Sequence, residues 1–151
     1  MTLTALSLKG RALRYLAARE HSRAELERKL QSYEEAPGEL ARVLDELEVK
    51  GFIDEQRVVE SVVHRRAGRL GTSRIRHELQ GKGLDAQTVQ TAVAQLQATE
   101  LERAREVWRR KFREPANDTA SRAKQMRFLA SRGFGAEAIR RVVTGADEEE
   151  A

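Results

Sequence analysis

The chain has 151 residues, a formal net charge of +4, a charged fraction of 34%, only 5% aromatic residues and no cysteine. The absence of cysteine excludes a disulfide framework and a thiolate metal site. So few aromatic residues among so many charges favour exposed helices over a β-sandwich or a thick globular core. The length suits one domain or a short array of small units.

The N-terminal segment, residues 1–16, is interrupted by the basic residues Lys9, Arg11 and Arg14. A secretory signal needs an unbroken apolar run, and a membrane span needs roughly 20 apolar residues. Neither pattern occurs in the sequence. We therefore expect a soluble, cytoplasmic protein that has no membrane partner.

The first clear helix start is at Ser22, which has Glu25 three places later. This spacing predicts a capping box, in which each residue's side chain bonds to the other's backbone N–H. Apolar residues then recur at helical spacing through 26–30, 40–47, 58–63, 89–96 and 126–129. The valine-rich stretch 58–63 is the only rival strand, and its flanking charges favour a helix. We predict an all-α fold.

Helix ends are marked by a repeated pattern, GKGLDAQTV at 81–89 and SRGFGAEAI at 131–139. A glycine followed by a large apolar residue predicts a left-handed helix end, which glycine adopts without steric cost. The apolar residue then lies five places before a second one, the spacing of a hydrophobic staple across the next helix start. A related stretch is VKGFIDEQRV at 49–58. The predicted caps are Gly51, Gly83, Gly133, Asp54 and Asp85, and the predicted staple pairs are Ile53–Val58, Leu84–Val89 and Phe134–Ile139.

The leucines Leu30, Leu79 and Leu129 recur at intervals of 49 and 50 residues. Each ends a basic amphipathic segment, and each segment lies between two other predicted helices. This period predicts an elongated array of three tandem three-helix repeats, which stabilise one another by stacking. We place the repeats at 1–51, 52–98 and 99–144, with an acidic disordered tail at 145–151.

Basic charge is concentrated in three blocks, 64–82, 103–113 and 119–141, each with six basic residues and one acidic residue. One such block is as consistent with a solvated helix face as with a binding site. Three blocks that recur with the helical units favour a surface that faces a polyanion. The candidate binding residues are Arg65, Arg66, Arg69, Arg74, Arg76, Lys82, Arg109, Arg110, Lys111, Arg127 and Arg132.

The sequence offers little for catalysis. The histidines His21, His64 and His77 have no metal-ligand spacing, and we interpret them as solvated or helix-capping side chains. No Ser/His/Asp order, phosphate-cradling loop or isolated carboxylate pair is present. We therefore predict a protein that is not an enzyme and that holds no cofactor or metal.

Two binding functions remain open. Three-helix units with short turns resemble helix-turn-helix modules, which would place the segment DAQTVQTAVAQL in a DNA groove. That segment carries Gln87, Thr88 and Gln90 but no arginine or lysine, so the arginines elsewhere suit backbone or protein contact better than base reading. The other possibility is a repeat scaffold for an acidic protein.

Over about residues 10–143 the sequence resembles the RecX family, the regulators of the RecA recombinase. The resemblance is carried by SRAELERKL at 22–30, GFIDEQRVVESVVHRR at 51–66, GTSRIRHELQGKGL at 71–84 and KQMRFLASRGF at 124–134. The middle stretches are the most specific, because glycine, aromatic, aliphatic and aspartate residues precede the arginines in a fixed order. Val58 departs from the aromatic residue usual in the family.

The resemblance implies three repeats of a three-helix motif that bind the RecA filament on single-stranded DNA. Such proteins lie in the filament's helical groove and restrain filament growth, ATP hydrolysis and strand exchange. The implied setting is homologous recombination, DNA repair and the SOS response. The implied partners are RecA, single-stranded DNA and also double-stranded DNA, and the protein is expected to be a monomer. An alternative is a helical-repeat protein that acts on bare DNA.

Overall fold

The computed structural model describes residues 6–145, and within that range the chain forms nine α-helices and no strand. The acidic segment 147–150, for which the sequence predicts disorder, lies outside the described residues. None of the helices within 6–145 is long and apolar enough to cross a bilayer. The helices are α1 (Leu8–Ala18), α2 (Arg23–Leu30), α3 (Glu39–Val49), α4 (Glu55–Arg66), α5 (Thr72–Gly81), α6 (Ala86–Ala98), α7 (Glu100–Phe112), α8 (Thr119–Ser131) and α9 (Ala136–Thr144).

The predicted helix starts are confirmed. The Ser22 hydroxyl accepts from the backbone N–H of Glu25, and the Glu25 carboxylate accepts from the backbone N–H of Ser22, both at 3.1 Å. Asp54 and Asp85 are the N-caps of α4 and α6, and each accepts a backbone N–H from the first turn of its helix. These side chains satisfy N–H groups that have no partner within the helix.

The predicted glycine helix ends are also confirmed. Gly51, Gly83 and Gly133 have φ angles of +80°, +68° and +91°, in the left-handed region. After Gly83 and Gly133 the next helix packs back against the previous one, α6 against α5 and α9 against α8, whereas Gly51 leads from the first unit into the second.

The core is divided into three separate clusters of buried apolar residues, one for each set of three consecutive helices. We refer to α1–α3, α4–α6 and α7–α9 as the first, second and third units. The predicted array of three tandem three-helix units is confirmed, while the boundaries after residues 51 and 98 stay predictions. Leu84 and Val89 share the second core, but the predicted Ile53–Val58 staple is wrong, because Ile53 packs in the first core and Val58 in the second.

The first and second units meet where α2 begins and α5 ends. The Ser22 hydroxyl donates to the carbonyl oxygen of Lys82 at 2.5 Å. The Lys82 ammonium lies 3.5 Å from the Glu25 carboxylate, and only 13% of its side chain is exposed. A second ion pair, Arg57–Glu20 at 3.0 Å, joins α4 to the turn between α1 and α2.

The second and third units meet in the same way, where α5 begins and α8 ends. The backbone N–H of Gly71 donates to the carbonyl oxygen of Arg132 at 2.8 Å, and that of Ser73 donates to the carbonyl oxygen of Gly133 at 3.3 Å. A Cβ atom at Gly71 would lie 2.3 Å from the backbone of Gly133. The two backbones approach so closely that no side chain fits between them.

The guanidinium of Arg103 on α7 completes this junction with five hydrogen bonds, one for each N–H that an arginine side chain carries. The five acceptors are Thr99 Oγ1, the Ala67 and Leu70 carbonyl oxygens, Thr72 Oγ1 and the Leu96 carbonyl oxygen. Burial lowers the pKa of Arg103, and the nearby Glu100 carboxylate opposes that shift. Arg103 therefore joins the second unit to the third, and all five N–H groups of its side chain are bonded within the chain.

His21 differs from the sequence interpretation. His64 and His77 are exposed, but His21 is buried, with 1% of its surface exposed. Its Nδ1 lies 3.1 Å from the carbonyl oxygen of Arg19, and its Nε2 lies 3.0 Å from the Lys29 ammonium. Burial lowers the pKa of His21, and the charges of Arg19 and Lys29 lower it further. The ring is a packed part of the first unit.

Candidate functional site

An open groove of about 510 Å³ lies where the second and third units meet. We call it the junction groove. Of the nine described residues that line it, six are cationic and none is acidic. The groove therefore has a strongly positive charge. The lining residues are Arg66, Arg69, Leu70, Arg74, Val107, Arg110, Lys111, Phe128 and Arg132.

The end of α4 and the turn after it supply one wall. Arg66 is partly tied down, because its Nε donates to the Glu78 carboxylate at 3.0 Å. Arg69 is exposed, and its Nη2 donates to the carbonyl oxygen of Arg65 at 3.4 Å. The charge of Arg69 faces solvent at the mouth of the groove.

The opposite wall comes from α7 and α8. Arg110 donates to the carbonyl oxygen of Gly68, which crosses the junction. Lys111 Nζ lies 5.3 Å from the centre of the Phe128 ring, and the Arg132 guanidinium carbon lies 5.0 Å from the same centre. A ring face attracts cations through its quadrupole, so Phe128 holds two positive charges beside it.

Arg74, at the start of α5, donates to the carbonyl oxygen of Ser131 at 2.7 Å. Like Arg110, whose acceptor Gly68 lies in the turn after α4, it bonds to a neutral backbone carbonyl oxygen. Such a bond fixes the orientation of the guanidinium and leaves its charge uncompensated. Arg23 on α2 is a contrast, since its guanidinium pairs with the carboxylates of Glu27, Asp45 and Glu48.

The structure brings six of the eleven candidate residues into the junction groove and leaves five outside it. Arg65 lies beside the groove, 3.8 Å from Glu78, and Lys82 is in the first junction. We exclude Lys82 from the candidate binding residues, because its side chain is largely buried and its ammonium pairs with the Glu25 carboxylate. Arg76 lines a shallow face of α5 and α6, Arg109 lines a separate pocket in the third unit, and Arg127 is exposed on α8.

Sequence reasoning missed the apolar floor of the groove. Leu70, Val107 and Phe128 line it, whereas the sequence pattern indicated only its charged residues. One signal was available, since Phe128 and Arg132 are four residues apart on one helix and such pairs lie side by side. The contribution of Leu70 depends on how two units pack, which no local pattern specifies.

Helix α6 does not resemble a base-reading helix. Its Thr88 hydroxyl donates to the Glu55 carboxylate at 3.0 Å, and its Thr91 hydroxyl donates to the Gln87 carbonyl oxygen at 3.0 Å. The helix carries no cation, and the groove that collects the arginines is made by other helices. The positive charge of the groove therefore lies outside α6, the helix that a helix-turn-helix interpretation would place in a DNA groove.

Sequence models of the three three-helix domains of RecX match this chain in order. The first domain matches residues 9–47, the second 54–93 and the third 98–143. The chain belongs to the RecX family.

Relatives named regulatory protein RecX agree with this assignment. The protein from Leptothrix cholodnii is 56% identical over 144 residues, which cover 95% of this chain and 92% of the relative. The protein from Ralstonia nicotianae is 49% identical over 142 residues, which cover 94% of this chain and 89% of the relative. The chain is therefore a member of a family of regulatory proteins.

Crystal structures of RecX proteins have the same fold. The structure of RecX from Lactobacillus salivarius matches with a TM-score of 0.77 at 21% identity, covering 93% of this chain and 95% of that one. A second structure of regulatory protein RecX matches with a TM-score of 0.72 at 20% identity, covering 96% of this chain and 82% of that one. The RecX array of three-helix units is thus shared by proteins of quite different sequence.

Proposed function

We propose that the chain is a negative modulator of the RecA recombinase. In this proposal it binds the helical groove of the RecA filament on single-stranded DNA and restrains filament growth, ATP hydrolysis and strand exchange. The observation that carries the proposal is the junction groove, whose described lining residues include six cations and no carboxylate. The regulatory name of the family's members is consistent with it.

The chemistry of the groove supports contact with a phosphate backbone. Arginine presents several N–H groups in a plane and matches phosphate oxygens in a bidentate way. Arg74 and Arg110 already have one N–H bonded to a carbonyl oxygen, so each has a fixed orientation before a ligand arrives. A site held in its binding geometry loses less conformational entropy on binding.

The arrangement of the units supports a filament as the target. Three units in series form a surface that can contact more than one subunit of a polymer, and each added contact increases avidity. A single RecA subunit would offer one such contact. Bare DNA would offer phosphates without a protein groove.

The deciding experiment assembles RecA on single-stranded DNA and adds the chain well below one copy per RecA subunit. Inhibition of ATP hydrolysis at that ratio supports filament binding, because too little protein is present to cover the DNA. Excess free DNA added after assembly should relieve the inhibition only weakly. If inhibition needs enough protein to coat the DNA, and free DNA abolishes it, the chain is a binder of bare DNA.

A pair of matched double variants tests the junction groove. Arg69→Gln with Lys111→Gln removes two exposed charges from the groove. Arg76→Gln with Arg127→Gln removes the same charge from outside it. The groove variant should bind more weakly and lose roughly 0.7 of salt slope for each single-strand phosphate contact that disappears.

The control variant should keep the affinity and the salt slope of the unmodified chain. Full affinity and an unchanged slope in the groove variant would remove the groove from the interface. Circular dichroism of both variants separates loss of contact from loss of structure, since all four side chains are exposed.

A further inference from the structure

A second cationic concavity of about 480 Å³ lies entirely within the third unit. We call it the third-unit pocket. Arg105 and Arg109 on α7, Arg122 on α8 and Arg141 on α9 converge on it, and none of the described residues that line it is acidic. Only Arg109 among these four was a candidate from the sequence. Three helices thus bring four guanidinium groups together in a pocket that is separate from the junction groove.

The pocket lies where the described chain ends. Gly145 lines it and is the left-handed C-cap of α9, with a φ of +68°. Six residues follow Gly145 in the sequence, and four of them are the consecutive acids Asp147, Glu148, Glu149 and Glu150. The acidic segment is therefore attached to the rim of the pocket.

We propose that the third-unit pocket is a binding site for a carboxylate-rich segment, and that its occupant is residues 147–150 of this chain. Arginine and carboxylate are complementary in charge and in planar geometry. Six residues reach at most about 20 Å, which keeps the acids near the pocket. A tether this short gives an effective concentration on the order of millimolar, so individually weak ion pairs suffice.

The consequence is a site whose occupancy depends on salt. Ion pairs near the surface are screened within about 10 Å at 0.1 M ionic strength, so high salt releases the segment. At low salt the segment withdraws four arginines from other anions. This inference concerns a different site from the junction groove and does not rest on the proposed function.

The chain contains a single tryptophan, Trp108, and it lines the pocket. Its indole N–H donates to the Gln125 side chain at 2.9 Å, which fixes the ring in place. Quenching of tryptophan fluorescence by acrylamide therefore reports how well the pocket is covered. Acrylamide is neutral, so changes in charge do not alter its attraction to the site.

The test compares the unmodified chain with a variant in which Asp147→Asn, Glu148→Gln, Glu149→Gln and Glu150→Gln remove the four acidic charges. The variant should have a quenching constant higher by about half or more at low salt, and added salt should raise the unmodified chain to the same value. Arg109→Gln with Arg122→Gln should give the same rise in the full chain. A free peptide Ala-Asp-Glu-Glu-Glu-Ala should protect Trp108 in the neutralised variant, and its Asn/Gln counterpart should not.

Two controls address charge and alternative ligands. The first control compares two double variants. One removes two acids of the segment, Glu149→Gln with Glu150→Gln. The other removes two exposed acids of the other units, Glu35→Gln with Glu60→Gln, and changes the net charge by the same amount. Only the first pair should alter quenching. Equal quenching in the unmodified chain and the neutralised variant overturns the proposal. If a short single-stranded DNA then protects Trp108 in both, the pocket is a nucleic-acid site instead.

Discussion

The backbone N–H of Gly71 donates to the carbonyl oxygen of Arg132 at 2.8 Å, and this bond has a counterpart at the other junction. There the Ser22 hydroxyl donates to the carbonyl oxygen of Lys82 at 2.5 Å. Lys82 and Arg132 both lie three residues after the leucine that ends the repeated segment. The middle helices α2 and α5 therefore each begin against the C-terminal turn of the next middle helix, and equivalent positions build both junctions, with a hydroxyl donor at one and a backbone N–H donor at the other.

Gly71→Ala should destabilise the junction between the second and third units. The added methyl group would lie 2.3 Å from the carbonyl carbon and oxygen of Gly133, and a backbone cannot move aside cheaply. We expect a loss of about 2 kcal/mol or more, the range of overpacking in a well-packed region. Urea unfolding measures it, with Gly81→Ala as control because a Cβ there meets nothing within 4 Å. Equal midpoints for the two variants would contradict the close approach.

Substitutions at Gly133 and Gly51 distinguish the cost of backbone strain from the cost of a steric clash. Both have positive φ, but a Cβ at Gly51 meets nothing within 4 Å, whereas one at Gly133 would lie 2.2 Å from Arg74 Cγ. Gly51→Ala should cost about 1 kcal/mol from backbone strain alone. Gly133→Ala should cost more, and Gly133→Val more again, because a β-branched residue is strained at positive φ. Urea melts that rank the two alanine variants in the opposite order would refute this explanation.

Arg103→Leu should be among the most destabilising single changes in the chain. It removes five hydrogen bonds and leaves the carbonyl oxygens of Ala67 and Leu70 without this donor, while that of Leu96 still accepts from Thr99. Each buried acceptor left unsatisfied costs about 1–3 kcal/mol, so we expect a total of roughly 3 kcal/mol. Thermal unfolding by circular dichroism measures the loss.

The matched control is Arg127→Leu, on the exposed surface of α8. Its effect should stay within about 0.5 kcal/mol, as for most surface substitutions. Arg103→Lys should fall between the two, since an ammonium has only three donors. If Arg103→Leu unfolds at the temperature of Arg127→Leu, the five bonds do not stabilise the junction.

Glu25 predicts how stability depends on pH. Burial opposes ionisation of its carboxyl, but hydrogen bonds from Arg19 and the Ser22 backbone, with the charges of Lys82 and Arg19, lower its pKa to about 2. Because the folded pKa lies below the unfolded value of 4.5, the stabilisation is complete above pH 4.5 and is lost as the pH falls towards 2. It amounts to about 3 kcal/mol at neutral pH.

Glu25→Gln tests this assignment, because it keeps the shape of the side chain and removes its titration. The free energy of unfolding, measured in urea from pH 6 to 2.5, should fall less steeply in the variant than in the unmodified chain. Parallel curves would mean that Glu25 does not have a lowered pKa in the folded protein. Glu35→Gln, which removes one exposed carboxylate elsewhere in the first unit, is the control.

The helices, their caps and the repeat could be predicted because they depend on neighbours in sequence. A capping box needs only Ser22 and Glu25, and a left-handed helix end needs only a glycine such as Gly133. Ile53 marks the limit of this reasoning. Its spacing from Val58 suits a staple, but the choice between two cores depends on how helices pack.

The sequence predicted which basic residues are candidates for binding, but not which of them lie together in one groove. Arg74 and Arg76 are separated by one residue in the basic block. Residues two apart on a helix point to nearly opposite sides, so only Arg74 lines the junction groove. Lys82 and Arg103 belong to basic blocks and are used within the fold, at the two junctions. Net charge along the chain cannot separate a cation that faces solvent from one that joins two units.

The repeated junction contact also gives the molecule a direction. The middle helix α5 contacts the start of α2 with its last turn and the end of α8 with its first turn, so the units follow one another in the same orientation and the two ends of the array differ. A nucleic-acid strand has a 5′ end and a 3′ end, and a helical polymer of identical subunits has a direction too. Two opposite alignments of this array on such a polymer are therefore chemically inequivalent, even for a groove that contacts nothing but phosphates.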